Sequence, residues 1–530
     1  MSLNRPVTAL AAAVAALAAL TGAATVTTSG AEPGTGSLAD AERRPVQRST
    51  LVCPQPAPSD LAETTFTAFS PGAPGSGAAE SGEEDAEGRA GLLPAVSTLD
   101  NGGSEKRPED AKPLLALTQP GRPATHTADS IDIPALSGTA TGALAPGWTV
   151  QQTTLVAVGG GRGLLGLQCS VPDTRFWFPG VSTAEKRHDY IHLTNPDEAS
   201  ATVDLKLYGP EGAIEAESGS GINVPAHSTV PVLLSALTPE PVQSATLHVA
   251  VRSGRVGAQL QAVDEKLGSD WLTPAAESPG QVVIPGLPGD ATEVRLSAFT
   301  PGDSDVTFTV ELAGPSGSFT PAGQETLHVK SGMTTSVDLR ELTRGEPASL
   351  VLTPEEGDGK APVVAAARVV RGGTDGSGDQ DGGGDGENGD GEEAAGEREV
   401  AFIPSTGPVE WRATAAGNER KGSTLHLTAP QDGAKVKVTA SAGSEGGTPA
   451  ERTVTLKPGS TTAVDDLLPE DGEGRFALTV EPLSGGPVYV SRMLEREEDG
   501  IPMFTVQALS DDGGTVTVPP ANQDLAVLGR

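Results

Sequence analysis

Alternation is the clearest signal along the chain. Ile191 and Leu193 alternate with Tyr190, His192 and Thr194, while Val203, Leu205 and Leu207 alternate with Asp204, Lys206 and Tyr208. A period of two with one apolar side predicts strands buried on one face and wet on the other, as in an antiparallel sheet. The stretch from Phe176 to Gly212 sets these strands in a fixed order. An apolar-Pro-Gly corner at Phe178-Pro179-Gly180 comes first, then a short strand ending at Asn195-Pro196, then a longer one ending at Gly209-Pro210-Glu211-Gly212.

That order recurs. Ile284-Pro285-Gly286 answers the corner, Val294-x-Leu296 running to Thr300-Pro301 answers the short strand, and Val306-x-Phe308-x-Val310-x-Leu312 before Gly314-Pro315 answers the longer one. Further along, Phe402-Ile403-Pro404 reads as the corner of a fourth unit, and Leu51-Val52-Cys53-Pro54 as that of the first. Pro458-Gly459-Ser460-Thr461-Thr462 parallels Lys330-Ser331-Gly332-Met333-Thr334. The pattern predicts an all-β chain of tandem immunoglobulin-like β-sandwich repeats strung as beads. The units expected are 49–175 with a mobile loop at 72–90, 176–272, 282–371, and 399–530 including C-terminal strands. The paired cysteines and central Trp of antibody domains are missing, so that likeness is one of architecture.

Composition sharpens the picture. With Gly at 67, Pro at 44 and aromatics at 3%, the 530 residues suit many turns and thin cores of Val, Leu and Ala rather than long helices. The net charge of -34 repels phosphate backbones and anionic surfaces, which argues against nucleic acid as a partner. Residues 1–31 carry Arg5, an Ala- and Leu-rich run from Val7 to Ala24 and a small-residue exit, and read as a signal peptide or membrane-anchor helix, so an exported chain is expected. Residues 32–48 read as a disordered tether, and 372–398 as an acidic Gly-rich disordered linker. In an exported chain the only two cysteines, Cys53 and Cys169, are expected to form one disulfide.

Candidate chemistry is sparse. His188 and His192 share a strand face and could meet a metal, but no third ligand sits at a telling distance, so a solvated strand edge is expected. The remaining histidines, His126, His227, His248, His328 and His426, read as surface residues. Gly159-Gly160-Gly161-Arg162-Gly163 lacks the Lys-Ser/Thr of a phosphate loop and is flanked by strands, so it reads as a hairpin turn. Within the acidic tract Asp379, Asp381 and Gly384 fit a calcium loop, whereas Gly383 and Asp390 break it. No Gly-x-Ser-x-Gly and no two-histidine zinc motif occurs. Trp148, Trp177, Trp271 and Trp411 lie near unit edges, where they either cover core ends or offer stacking platforms for sugars.

The sequences around Val52-Cys53-Pro54, Leu167-Gln168-Cys169 and Phe176-Trp177-Phe178-Pro179-Gly180 resemble an actinobacterial family of exported, often membrane-tethered proteins of undetermined function. The resemblance spans nearly the whole chain; it implies export and a β-rich body and supplies no catalytic residue. The expected function is that of a non-enzymatic envelope protein, a rod of sandwiches that spaces or binds an extracellular protein or glycan, without cofactor or metal. A carbohydrate-binding accessory role for the edge tryptophans is the second reading, and a secreted hydrolase the third.

Overall fold

The alternating segments form the strands that their pattern predicts. Arg187–Thr194 and Ala201–Gly209 bury Ile191, Leu193, Val203, Leu205 and Leu207 almost completely against each other. The computed structural model describes residues 42–57, 59–72, 88–97, 112–355, 357, 361–373, 398–498 and 500–518. The chain divides into two units. One comprises 1–44 with 515–530, and its described part is a ribbon pairing Glu42–Pro45 with Thr515–Val518; the expected signal or anchor at 1–31 lies outside the described residues. Among the described residues no helix is long and apolar enough to cross a membrane.

The other unit, Pro45–Gly514, holds tandem β-sandwiches that repeat one topology. In the second sandwich, the opening strand Arg175–Val181 pairs with Ala245–Ser253, which pairs with Ala201–Gly209 to make one sheet. The facing sheet runs from Ser228–Leu233 through Arg187–Thr194 and Gly257–Asp264 to the closing strand Gly268–Leu272. The other sandwiches repeat this order, with opening strands Arg48–Cys53, Val282–Leu287 and Ala413–Asn418 and closing strands Gly163–Gln168, Arg398–Pro404 and Ile501–Leu509. Cys53 and Cys169 form the expected disulfide, which ties the start of the first sandwich to its end. On the chain-entropy model, closing so long a loop contributes about 4–5 kcal/mol. Ile131 sits in the 3-10 turn Ser130–Asp132.

The expected boundary between third and fourth units is displaced. Arg398–Pro404 pairs antiparallel with Val364–Gly372, so it closes the third sandwich rather than opening the fourth. Its last described partner across the acidic tract is Gly372, opposite Arg398, so the tract joins neighbouring strands of one sheet instead of linking domains. The tract itself, with Asp379, Asp381 and Asp390, lies outside the described residues, as does most of the loop expected at 72–90, although Ala90 already begins the strand Ala90–Pro94. The true counterpart of the corners is Ala415-Ala416-Gly417. Gly180, Gly286 and Gly417 all have positive φ (90°, 81° and 75°). Each lies where the register of its opening strand slips. A bulge that turns through the left-handed region requires Gly, whereas the preceding Pro is dispensable.

Those glycines face outward, onto the next sandwich. A Cβ at Gly180 would lie 3.5 Å from Ser297, one at Gly417 3.3 Å from Thr67, and one at Gly286 2.9 Å from His426 and still closer to Ser491. The sandwiches are therefore not beads or a rod. The first meets the second where Trp271 enters its core; the second meets the third through Trp177 and Phe299, with ring centroids 5.2 Å apart. The third meets the fourth through Ser349 and Thr428 at 2.7 Å, and the fourth returns to the first through Leu494 and Met503 against Leu164. The result is a closed ring with the closing strands along its axis.

Faces that alternation suggested were wet are dry at these joints. His192 and His426 are 7% and 1% exposed, against the surface positions expected for them. Burial lowers both imidazoles from their ordinary value to about 4. Thr334 donates to Tyr208 O at 2.6 Å across the second joint, and Thr461 donates to Ala313 O at 2.8 Å across the third, so the paired Thr motifs are joint contacts. On the axis the fully buried Asp270 carboxyl accepts from Gly166 N–H at 3.3 Å and from the Thr505 hydroxyl at 3.1 Å. The Phe402 and Trp271 N–H groups also donate to it, and burial holds its pKa well above the usual carboxylate range.

Three outcomes test this architecture. Gly286→Ala combines left-handed strain with a clash and should cost about 2–4 kcal/mol in denaturant unfolding, against about 1–2 for Gly180→Ala, which has room; equal losses would contradict the joint geometry. Asp270→Ala strands donors from all closing strands and should cost about 3–5 kcal/mol. Because His426 resists protonation when folded, its contribution is present above pH 6.5 and lost as pH falls toward 4. In that window the stability of His426→Gln should fall less steeply than that of the unaltered chain, by up to about 1.4 kcal/mol per pH unit; identical slopes would refute the buried, neutral imidazole.

Candidate functional site

Where the closing strands end, the chain segments that follow them diverge and leave a funnel on the ring axis. It has a volume of about 870 Å³. Its wall combines Cys169-Ser170-Val171, Thr273–Ala276, Pro404–Thr406 and Ser510–Gly513, one segment from each sandwich, with Trp148 and Gln259 between them. A repeat that closes into a ring brings equivalent chain ends to one place, so the funnel follows from the topology and not from any single motif.

Of the charged groups on the wall, Arg48 is exposed, while Arg255, Asp511 and Asp512 are held by partners. Arg255 donates to both Asp197 oxygens at 2.9 Å. Asp512 forms a buried ion pair with Arg412, 1% and 3% exposed, and also accepts from Thr414 at 3.0 Å and from Gly514 N–H at 2.9 Å. Asp511 accepts from the backbone N–H groups of Glu410, Trp411 and Arg412 at 3.0, 2.9 and 2.9 Å. The neutral groups are another matter. Trp148 Nε1, Ser170 Oγ, Gln259 Oε1 and Gln507 Nε2 are buried and have no hydrogen-bond partner among the described residues. Gln507 turns its Oε1 to the buried Arg492 Nε at 3.0 Å, which fixes its amide with Nε2 left over. Burial lowers the Arg492 guanidinium to about 9.

A second, shallower cavity of about 580 Å³ lies beside Trp177. There Trp177 Nε1 donates to Glu277 at 2.6 Å, Arg175 pairs with Glu277 at 3.2 Å, and His248 stacks on the indole with centroids 3.9 Å apart. His248 is pushed down to about 4, by burial first and then by Lys206 and Arg175. Trp177 and Arg175 are engaged with Glu277, whereas His248 Nε2 is buried without a hydrogen-bond partner among the described residues.

The residues singled out in the sequence fall in scattered places. His188 lies at the surface beside Glu265 at 3.3 Å, while His192 packs edge-on against Trp271 at 5.3 Å in the first joint, so they share no metal pocket. Among the described residues no group of three or more His, Cys, Asp or Glu could hold a metal. Gly159–Gly163 is the expected hairpin turn, and its Arg162 reaches Glu399 of the third sandwich at 2.6 Å. Trp148, Trp177 and Trp271 are at most 5% exposed, which removes them as stacking platforms, and Trp411 alone is exposed, at 40%. Sequence reading missed Gln259, Gln507 and Ser170, which lie in different sandwiches and carry no local signal.

The disulfide suits an oxidising compartment. No curated protein matches the chain in sequence. One family model matches residues 124–466, more than half the chain and reaching into all the sandwiches, and the chain therefore belongs to the family of unknown function DUF5719.

Proposed function

We propose that this chain is a non-enzymatic protein of the cell envelope, exported across the cytoplasmic membrane, whose ring is a rigid scaffold and whose axial funnel is a binding site. The observation that carries the reading is the funnel wall. It gathers chain segments of every sandwich around one cavity of about 870 Å³, with the nearby carboxylates already held by arginines and backbone N–H groups. Such a set supports holding a ligand; general acid–base work asks instead for a carboxyl or imidazole free to exchange a proton with a substrate. The disulfide supports the exported location.

Photo-crosslinking amino acids at Val171 and Ser510 on the rim should capture a recurrent neighbour in living cells, while one at the exposed Phe319, far along the third sandwich, should not. Alkylation of intact cells without reductant should label neither Cys53 nor Cys169. Turnover of polymeric glycan or ester substrates by the purified chain at acid or neutral pH would oppose the reading, as would rim positions that capture nothing.

A further inference from the structure

We propose that the ring is opened by acid: protonation of His192 in the first joint and of His426 in the third parts it into two folded halves, the second and third sandwiches in one and the fourth and first in the other. The inference stands apart from the binding reading, although parting the ring also takes apart a funnel wall built from all the sandwiches.

Matching positions in the four sandwiches carry the argument. Each sandwich has a strand followed by a proline (Pro71, Pro196, Pro301 and Pro430), and the residue four places before that proline lies in a joint: Thr67, His192, Ser297 and His426. Thr67, Ser297 and His426 lie under the bulge glycines Gly417, Gly180 and Gly286 of the neighbouring sandwich, and His192 lies against Trp271 where that indole enters the first core. All four are at most 7% exposed. Around the ring the order is hydroxyl, imidazole, hydroxyl, imidazole. Only the imidazoles change charge in mild acid, and they occupy opposite joints.

Neither imidazole is provided for as a cation. Across its strands His192 faces Gln259 and Pro231, with Tyr190 and Gln261 on the same face; His426 faces Ser491 and Ala463, with Gly286 of the third sandwich over it. No charged side chain bears on either ring: burial is what lowers both, opposed at His192 by Gln261 alone. Asp270, next to Trp271 in the chain, and Arg492, next to Ser491, are engaged elsewhere, by the axial donors and by Gln507. A proton on either ring therefore finds no counter-charge until the joint parts and water enters. His248 at the second joint differs. It lines the open cavity beside Trp177 and stacks on the indole, a contact that favours an imidazolium, so protonating it does not require the second and third sandwiches to separate.

Linkage gives the direction. An imidazole held at about 4 in the closed ring returns toward its ordinary 6.5 once solvated, so each favours the open form by up to about tenfold per pH unit as pH falls through that interval. Asp270 works the other way. Its value is raised in the closed ring, so acid supports closure there and cancels at most about tenfold per pH unit. Two imidazoles against one carboxyl leave opening favoured.

Fluorescence energy transfer in the full chain reads the joints one at a time, because the native cysteines are already bonded to each other. Val158→Cys, Glu211→Cys, Phe319→Cys and Leu483→Cys place dyes at exposed sites of successive sandwiches and, taken in pairs, span each joint. Between pH 7 and about 4.5, transfer should fall for 158 with 211 and for 319 with 483, and hold for 211 with 319 and for 483 with 158, while far-ultraviolet circular dichroism stays constant. His192→Gln and His426→Gln should each reduce the opening at that acid pH by about tenfold or more. Transfer lost at all four joints together with the dichroism would mean ordinary acid unfolding and overturn the inference. Transfer unchanged at every joint, lost only at the second and fourth, or lost equally with and without the histidines would overturn it as well. The joint-by-joint comparison keeps both histidines, so it decides the matter even where a variant fails to fold.

Discussion

Asp270 accepts hydrogen bonds from Gly166, Phe402 and Thr505, and from the N–H of its neighbour Trp271, so strands of every sandwich converge on one carboxyl. A buried carboxyl is unfavourable unless nearly all its acceptor capacity is used, and here that capacity is filled only if all the modules are present and in register. The other diagonal of the axis is tied by Arg162 and Glu399. Closing the ring therefore satisfies groups that an open string of the same modules would leave stranded. The same requirement leaves little space at the centre: a Cβ on Gly166 would press on Gln507 and Thr505.

Around that axis each opening strand lies on the strand pair of its neighbour, and the joint is built from small polar side chains. Thr and Ser hydroxyls bridge Ser349 to Thr428 and Thr334 to Thr246, with His192 and His426 packed among them. Such joints bury moderate apolar area and pair most of their hydroxyls locally, while His192 and the Nδ1 of His426 are buried without a partner among the described residues, and this lets a chain poor in aromatics pack sheets face to face several layers deep. Each sandwich keeps its own apolar core, yet those cores reach outward: Phe402 packs into the second and Phe504 into the third.

This explains what the sequence disclosed and what it hid. Alternation is a within-module property, so Ile191, Leu193, Val306 and Phe308 could be assigned to cores from their spacing alone. It has two sides, however, and a polar side facing water looks the same as one facing another module's polar side. His192 and Ser297 sit at matching places in their strands and read equally as surface. The corner was recognised by its Pro, which drew Phe402-Ile403-Pro404 into the wrong sandwich, whereas the geometry selects the positive-φ glycine and so selects Gly417. Cys53 and Cys169 were legible because only one pairing exists. The funnel was not, since its wall is assembled from segments of separate modules that become neighbours only when the ring closes.

Repetition also accounts for where the funnel can carry specificity. Strands that build cores and joints must keep the repeat: apolar residues inward, a left-handed Gly or its substitute at the bulge, a hydroxyl or imidazole at the joint. The residues just past each closing strand are released from that duty, because the ladder has ended and the next opening strand has not begun. They have diverged accordingly, into Cys169-Ser170-Val171, Thr273-Pro274-Ala275, Ser405-Thr406 and Ser510-Asp511-Asp512. A wall made of unlike pieces at like positions presents an asymmetric surface on a nearly symmetric frame. An asymmetric ligand can then be held in one orientation by a protein whose architecture, taken alone, would not distinguish among its own repeats.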